Sequence, residues 1–355
     1  MYDIVIVGAW ASGLFLWSQI SGDKKVLILE KNEAPGNKLL LTWKGRCNFT
    51  NLNVNSSHYY WDSLERLDWY FNNFWPKEMI SFLEENWIEV KEEDHWRMFL
   101  KSNKAKQLLD FLLKKNEENQ HSITLWQTVL WIKKADGYII ETDKNSYETK
   151  NIVITAWGKS FPQVWGSNFV FQFAKEFWIK TEKPIPALSW IITKEDISTL
   201  SWSSLIAQVQ VRDKKWCILH QEEWIILFTH RWISWPLVFN LTLRLSKDYS
   251  KLQSLTIKLS VDKKDITKRL LGYLKAPKNL NNYILTLHPQ DFKDWETAKV
   301  MYWWILLDEV KENFELKKAP WIYVLWEALN ITWETWWYNL QWCWSSAYQC
   351  AKNFN

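Results

Sequence analysis

Apolar residues near the start of the chain follow two different periods, and each period predicts a different element. Ile4–Val7 is a β-branched run that predicts a strand, and Lys25–Glu30 (KVLILE) predicts a second strand one helix length later. Apolar positions at helical spacing predict helix within Glu65–Glu93 and an amphipathic helix over Lys104–Lys115. A strand, a helix and a further strand in this order indicate a parallel sheet.

Alternating apolar and polar positions predict a meander in the next part of the chain. Strands are expected at Thr124–Ile132, Gly137–Asp143 and Asn151–Thr155, with a hairpin turn at Asp136-Gly137. After Pro184, short alternating segments as far as Leu241 indicate antiparallel strands.

The rest of the chain divides into two further patterns. Lys247–Gln290 is charged and predicts mostly helix, whereas the sequence from Lys299 returns to strands and turns and predicts a terminal helix from about Asn339. We therefore predict an α/β fold. A Rossmann-like domain with a central parallel sheet takes residues 1–187 and 293–355, and an inserted, mainly antiparallel β plus helical domain takes residues 188–292.

Charge, cysteine content and hydropathy narrow the class of protein. The chain has 44 basic and 40 acidic residues, a net charge of +4 that neither requires nor excludes a polyanionic partner. The four cysteines form no CxxC pair, and no residues show metal-ligand spacing, so we expect free thiols, a cytoplasmic protein and no metal. No run reaches the ~18 apolar residues of a membrane span. Asp3 stands where a signal peptide would be basic.

Tryptophan and glycine occur in abnormal numbers. The chain has 29 Trp and only 9 Gly, whereas glycine at about 7% would contribute roughly 25 residues. Many of the tryptophans adjoin Gly, Pro, Asn or Asp, where turns are expected. We hypothesise that most of them stand for glycine, as they would if UGA codons that encode glycine had been translated as tryptophan. UGG codons at these positions would contradict the hypothesis.

The first chemical motif follows the first strand. Gly8-Ala9-Trp10-Ala11-Ser12-Gly13 becomes GAGASG, a GxGxxG pattern, when Trp10 is glycine. Gly8 would allow a tight turn, position 10 a close approach to a pyrophosphate, and Gly13 close packing of helix on strand. Glu30 ends the second strand, where an acidic side chain binds ribose hydroxyls, and Lys31 follows it. The pattern predicts dinucleotide binding.

A second motif gives the sequence its resemblance to a known family. Residues 38–51, which include Lys38, Thr42, Arg46, Cys47 and Asn48, become KLLLTGKGRCNFTN with glycine at position 43. This segment resembles the BaiN-like NAD(P)/FAD-dependent oxidoreductases, also described as aminoacetone-oxidase-family FAD-binding enzymes. The resemblance implies that these five residues help to bind FAD. Taken alone, Cys47 is better interpreted as a packing residue than as a redox thiol.

Three further segments match the same family. One contains Thr155, Ala156, Trp157 and Gly158 and becomes TAGG; another, residues 227–236, becomes LFTHRGISGP. The third contains Trp326-Glu327 and residues 336–341, read as GE and GGYNLQ. The resemblance implies an FAD site near both ends of the chain. Its cofactor-binding residues would include Trp326, Glu327, Trp337, Tyr338 and Asn339, with Glu327 on the ribitol. Trp342 and Trp344 are expected to be genuine, because a terminal helix gains nothing from two glycines.

The resemblance implies an FAD-dependent oxidoreductase whose flavin carries the chemistry, and the catalytic side chains stay unassigned. No second GxGxxG is present, so NAD(P)H is expected to bind only transiently as electron donor. The preferred activity is reduction of an enone-like carbon–carbon double bond in a small molecule. A flavin enzyme that reduces uracil in ribosomal RNA is an alternative, favoured by the lysines of Lys247–Lys278. A non-catalytic FAD-binding protein is a second alternative.

The glycine hypothesis also makes a structural prediction. Six tryptophans occupy positions where the family pattern has glycine, and each should show either a positive φ or an indole that projects into the presumed FAD groove. They are Trp10, Trp43, Trp157, Trp326, Trp336 and Trp337. Trp342 and Trp344 should instead have ordinary helical geometry.

Overall fold

A computed structural model gives the fold of the chain. It describes all residues except 61–63, 157–168, 183–184, 235, 294–297, 299 and 303–304. The chain divides into two compact units. The first takes Met1–Lys159, Trp165–Lys183 and Trp303–Asn355, and the second takes Ser160–Val164 and Pro184–Tyr302.

The strands and helices are numbered in chain order. The strands β1 to β21 are Tyr2–Val7, Val26–Leu29, Asn48–Asn51, Tyr59–Tyr60, Val90–Glu93, Arg97–Leu100, Ser122–Thr124, Val129–Ala135, Gly137–Thr142, Ser146–Ile154, Ile185–Ala187, Ile191–Thr193, Ser204–Arg212, Ile218–Phe228, Trp232–Ser234, Thr256–Asp262, Asn282–Leu287, Pro289–Phe292, Val300–Tyr302, Ile322–Val324 and Thr332–Trp333. The helices α1 to α9 are Ala11–Gln19, Asn37–Leu41, Leu64–Asn73, Pro76–Glu85, Ala105–Glu118, Phe169–Glu176, Pro236–Leu245, Lys268–Leu274 and Thr335–Ala351.

The first unit is built on a sheet with a parallel centre. Its strand order is β7-β2-β1-β10-β9-β8, and β20 also pairs with β10. The strands β7, β2, β1, β10 and β20 are parallel to their neighbours, whereas β9 and β8 extend the sheet in antiparallel pairs. The β-branched residues of β1 and β2 are buried, as expected for strands covered on both faces. The predicted Rossmann-like fold with a parallel sheet is confirmed.

The second unit is built on a seven-stranded sheet in the order β17-β16-β13-β14-β15-β12-β18. Every pairing in it is antiparallel. Alternate residues of β13 and β16 point into an apolar core that also receives α7 and the 3-10 segment Ser246–Ser254. The antiparallel character predicted for this part of the chain is confirmed.

One helical prediction is confirmed and another is wrong. Within Glu65–Glu93 the structure has two short helices, α3 and α4, followed by β5, because Pro76 begins a new helix at its first position. Lys247–Gln290 is not mostly helix: the 3-10 segment Ser246–Ser254 is followed by β16, the seven-residue α8 and β17. Alternating burial in β17, with every second residue buried, shows that the apolar period is that of a half-exposed strand.

The C-terminal helix α9 lies against elements from the start of the chain. It begins at Thr335, four residues before the predicted start. It packs against α1, where the rings of Phe15 and Trp344 lie 5.3 Å apart. The Trp344 indole N–H donates to the Phe49 carbonyl at 2.8 Å. Trp342 and Trp344 are both buried within α9, in agreement with the expectation that they are genuine. No helix among the described residues has the length and hydropathy needed to cross a membrane.

Tryptophan dominates the left-handed backbone positions. Of 16 described non-glycine residues with positive φ, eight are tryptophan. A bulky side chain rarely adopts this conformation, which costs about 1–2 kcal/mol. Seven of the eight indoles are more than half exposed: Trp87, Trp96, Trp126, Trp178, Trp202, Trp216 and Trp321. An exposed indole in a left-handed turn gains little from packing, so these positions favour glycine.

Two of these tryptophans follow helices in a defined motif. Trp87 comes after α4, where its N–H donates to the Glu84 carbonyl and the next N–H reaches Leu83 at 2.9 Å. Trp178 comes after α6, and the next N–H reaches Ala174 at 2.8 Å. Such helix ends place a left-handed residue just past the helix, and glycine is the usual occupant. The backbone at both places is therefore built for glycine.

Candidate functional site

The β1–α1 turn has the backbone of a dinucleotide-binding loop. Gly8 has a φ of +107°, which only glycine adopts without strain. A Cβ on Gly13 would lie 2.3 Å from the Gly8 carbonyl oxygen and 2.8 Å from Thr155 Oγ1, so α1 can approach β1 only with glycine there. The Thr155 hydroxyl lies 2.8 Å from the same Gly8 oxygen and ties β10 to the turn.

The start of α1 offers polar groups that the described part of the protein leaves unused. No side chain caps this helix, and its first turn, which includes Ala11, carries no acidic residue. Ser12 is buried, and its hydroxyl has no partner among the described residues. Unpaired N–H groups and the positive end of the helix dipole form an anion site. A buried hydroxyl without a partner beside them fits a bound phosphate.

Glu30 closes the site at the end of β2. The Ala9 N–H donates to its Oε2 at 2.8 Å, and the Asn32 backbone and side-chain nitrogens donate to Oε1 at 2.9 and 2.6 Å. A carboxylate has about four lone-pair positions, so Glu30 keeps capacity for a ribose hydroxyl. Burial lowers the pKa of the neighbouring Lys31, and the charge of Glu30 partly offsets this effect.

A pocket of about 50 Å³ lies at the carboxyl ends of these strands. Its wall is lined by Val7, Gly8, Trp10, Leu29, Glu30, Lys31, Gln127, Thr128, Val129, Ala156 and Phe169. The Trp10 indole is buried, and its Cδ1 lies 3.1 Å from where a Cβ on Gly8 would be. The indole thus covers the turn that a pyrophosphate must approach. The Gly8 turn, the start of α1 and Glu30 fit a dinucleotide, whereas position 10 requires a small residue in place of the indole.

A second group of predicted residues lies where α2 meets the β20–α9 connection. The Gly36 N–H, just before α2, donates to the Ala9 carbonyl at 2.9 Å and places α2 beside the first turn. The Lys38 ammonium lies 4.4 Å from the centre of the Trp326 ring. The Trp326 indole in turn donates to Asn339 Oδ1 at 2.6 Å. These three residues are brought together, whereas the side chains of Glu327 and Trp337 lie outside the described residues.

Other predicted residues make structural contacts instead. Arg46 pairs with Glu93 and Asn103 and stacks on Phe99. In its favoured orientation the Asn48 amide donates to the carbonyls of Met98 and Thr50.

The remaining residues of this segment are also placed. Cys47 is buried, and burial raises the pKa of its thiol, which suits a packing residue rather than a reactive thiolate. The Thr42 hydroxyl bonds the Lys38 carbonyl, and Trp157 and Gly158 lie outside the described residues.

The six tryptophans predicted to replace glycine give a divided result. Trp326 has a φ of +58°, and Trp10 lines the pocket with its indole, as expected. Trp43 lies in a 3-10 segment, and Trp336 and Trp337 lie in the first turn of α9, so none of these three is among the described positive-φ residues. The helix begins earlier than the sequence suggested, so Trp336 and Trp337 have helical backbone. The other expectation for them and for Trp43, an indole in the groove, concerns side chains outside the described residues.

A polar cluster beside the start of α9 was not found from the sequence. The His58 ring stacks on Tyr338 at 4.2 Å, and its Nε2 lies 3.3 Å from the Tyr338 hydroxyl. Its Nδ1 lies 3.4 Å from Glu334, the residue that precedes α9. The Tyr59 hydroxyl donates to the Tyr338 carbonyl at 2.6 Å. The pairing of β4 with β21 creates this cluster, and no local pattern announces a pairing between strands so far apart.

Comparisons with known proteins agree with this architecture. The model of the HI0933-like protein Rossmann domain matches residues 2–353. A ribosomal RNA dihydrouridine synthase of Escherichia coli is 25% identical over 99% of this chain and 98% of its own length. A 3-dehydro-bile acid delta(4,6)-reductase of Clostridium scindens is 25% identical over 53% of this chain and 47% of its own. A 3-ketosteroid delta1-dehydrogenase of Sterolibacterium denitrificans has the same fold, with 10% identity, 99% coverage of both chains and a TM-score of 0.52.

Proposed function

The chain belongs to the HI0933-like Rossmann-domain family and is an FAD-dependent oxidoreductase. We propose that it reduces a carbon–carbon double bond conjugated to a carbonyl. NAD(P)H is the proposed electron donor, bound only transiently. The observation that carries the cofactor site is the β1–α1 turn, where Gly8 and Gly13 meet a Ser12 hydroxyl that has no partner in the described part of the chain.

The residues of the first unit would divide the work of holding the cofactor. The N–H groups at the start of α1 would bind its phosphates, and Glu30 would accept a ribose hydroxyl. The N-terminal end of α9 would stabilise negative charge on the ring system, with Tyr338 and Asn339 beside it. Bound FAD would supply two-electron transfer between donor and substrate.

The names of the relatives favour a conjugated double bond. One is a reductase of 3-dehydro-bile acids and the other a dihydrouridine synthase. The C5=C6 bond of uracil is conjugated to the C4 carbonyl, so an enone and a uracil ring pose the same chemical problem. A small enone is our first candidate substrate.

Uracil in ribosomal RNA is the second candidate, favoured by coverage. The relatives named ribosomal RNA dihydrouridine synthase match 99% of this chain, whereas the bile-acid reductase matches 53%.

An anaerobic assay of the Trp10→Gly chain tests the proposal. The FAD-loaded protein is mixed with NADPH or NADH and then with 2-cyclohexen-1-one, or with ribosomal RNA that lacks dihydrouridine. The proposal expects flavin bleaching by a nicotinamide and a product that gains two hydrogens, detected by mass spectrometry. The proposal is contradicted if no nicotinamide reduces the flavin, or if neither substrate reoxidises the reduced flavin. Either result would favour a non-catalytic FAD-binding protein.

A further inference from the structure

The second unit carries the positive charge of the chain. Residues 184–302 contain 17 Lys and Arg against 11 Asp and Glu, an excess of six. The rest of the chain contains 27 against 29, an excess of two negative charges. Such an asymmetry between two parts of one chain favours an anionic partner for the basic part.

One cleft in this unit gathers several of these charges. It has a volume of about 720 Å³ and lies where β12, β15 and β18 meet. We call it the basic cleft; it is lined by Ile192, Thr193, Lys194, Glu195, Asp196, Ser198, His230, Arg231, Trp232, Gln290 and Lys293. Lys194 and Arg231 are exposed, and Lys293 is half-buried at the opposite strand.

The turn that presents Arg231 is held firmly in place. The Thr229 N–H donates to the Trp232 carbonyl at 2.9 Å, and the Thr229 hydroxyl donates to the same oxygen at 2.7 Å. His230 Nδ1 lies 2.9 Å from the Ser201 hydroxyl. A fixed turn loses little conformational entropy when a ligand binds its exposed arginine.

The carboxylates of the basic cleft are already engaged. Glu195 bonds the His288 ring at 2.6 Å and the His288 N–H at 2.9 Å. Asp196 accepts the Ser198 N–H at 2.9 Å, and its pKa is lowered by Ser198 first and by the charge of Arg231. Both carboxylates are held by these contacts and keep their charge, so the cleft is positive because Lys194, Arg231 and Lys293 outnumber them.

The positive surface continues beyond the basic cleft onto α8. The Arg269 guanidinium donates to the Ser201 carbonyl, so α8 is fixed beside the residue that holds His230. Lys263, Lys264, Lys268 and Lys275 are exposed on and around this helix. A small anion would need only the cleft, whereas a strand of several phosphates would use both parts.

We propose that the basic cleft and the exposed face of α8 bind the phosphate backbone of single-stranded RNA. Arg231 and Lys194 contact phosphates in the cleft, and the α8 lysines contact the following ones. This inference rests on the second candidate substrate of the proposed function, uracil in RNA, and adds the surface that would hold the strand. Backbone contacts of this kind position the strand and do not read its sequence.

Fluorescence anisotropy with a labelled 20-nucleotide uridine-rich RNA tests this surface. The double variant Arg231→Ala/Lys194→Ala should bind about tenfold more weakly near 0.1 M salt, and its log–log salt slope should fall by about 1.4, or 0.7 for each lost phosphate contact. Arg231→Lys with Lys194 intact should keep most of the affinity. Lys101→Ala, an exposed lysine of the first unit, is the matched control and should change nothing.

Two further measurements separate the possible failures. With every variant made in the Trp10→Gly chain, flavin content and NADPH-dependent reduction of 2-cyclohexen-1-one should be equal in all of them, because none of the substitutions in the second unit alters the FAD site. If enone reduction persists but the double variant binds RNA as the unchanged chain does, or no chain binds RNA, this inference fails alone. If equimolar NADPH displaces the RNA, the basic cleft is a dinucleotide site, and this result also overturns the inference. Loss of flavin reduction in every chain would instead contradict the proposed function.

Discussion

The β1–α1 turn and the connection from β20 to α9 both belong to the first unit. Each has a residue with left-handed backbone, but the residue is different. At Gly8 a left-handed φ of +107° is occupied by glycine, and at Trp326 a φ of +58° is occupied by tryptophan. The first turn is stabilised by Thr155 across the sheet. At the second, a buried indole lies between Lys38 and Asn339.

The difference shows that the backbone keeps a left-handed conformation, which favours glycine, even where the residue is tryptophan. Trp87 and Trp178 repeat this at helix ends, where their indoles lie mostly in solvent. Trp344 is the opposite case, since its buried indole bonds the Phe49 carbonyl. We therefore infer that left-handed tryptophans are glycine positions and that buried helical ones are genuine. A tryptic peptide of the natural protein that carries tryptophan at position 87 would break this distinction.

The largest expected effect on the cofactor site comes from changing a glycine that is present. Gly13→Ala would place a Cβ 2.3 Å from the Gly8 oxygen, so α1 must move away from β1. We expect a loss of about 3 kcal/mol in the free energy of unfolding, as for overpacked sites, and, in the Trp10→Gly background, loss of FAD binding. Urea denaturation and flavin absorbance measure the two effects. Gly272→Ala is the control, because no atom of the described residues lies within 4 Å of its added Cβ.

The β20–α9 connection should gain from the glycine that its backbone favours. In a Trp10→Gly background, Trp326→Gly should relieve the left-handed strain and release the Asn339 amide for the cofactor. We expect FAD to bind about tenfold more tightly, equivalent to about 1.4 kcal/mol. Fluorescence titration measures this change. Weaker binding would mean that the Trp326 indole supports the site.

Much of the first unit was predictable from local patterns. The β-branched run Ile4–Val7 and the glycines around it gave the first strand and turn, because these depend on neighbouring residues only. The strands inside Lys247–Gln290 were missed because scattered charges on exposed strand positions imitate a helical face. The cluster of His58 with Tyr338 could not be predicted, since a pairing between distant strands forms it.

A smaller effect is expected at a helix end far from the pocket. Trp87→Gly should stabilise the first unit by about 1 kcal/mol, because the strain of a left-handed residue with a Cβ is removed. Trp344→Gly, at a buried helical position, should destabilise it by about 3–5 kcal/mol, as large aromatic truncations do. The two substitutions should shift the midpoint of thermal denaturation in opposite directions, and the two shifts need not be equal in size. A destabilising Trp87→Gly would contradict the assignment of left-handed tryptophans to glycine.

The smallest effect concerns the strand that carries the turn. Asp3, at the start of β1, accepts a hydrogen bond from the Lys150 ammonium at 2.8 Å and another from the Lys25 N–H. These two hydrogen bonds lower the pKa of Asp3 below 3.8. The stabilisation is therefore present above pH 3.8 and is lost as the pH falls through the lowered value. Asp3→Asn should cost about 0.5 kcal/mol at pH 7. The difference should vanish in acid, and a constant difference from pH 7 to pH 2 would contradict this cause.

The stoichiometry of FAD binding by the Trp10→Gly chain decides whether the β1–α1 turn holds the cofactor. Removing the indole that covers the Gly8 turn should open the approach for a pyrophosphate. The account predicts a yellow protein with one FAD per chain, and Gly13→Ala in the same background should bind none. A folded Trp10→Gly chain that takes up no FAD at any concentration would contradict the assignment of this turn as the cofactor site.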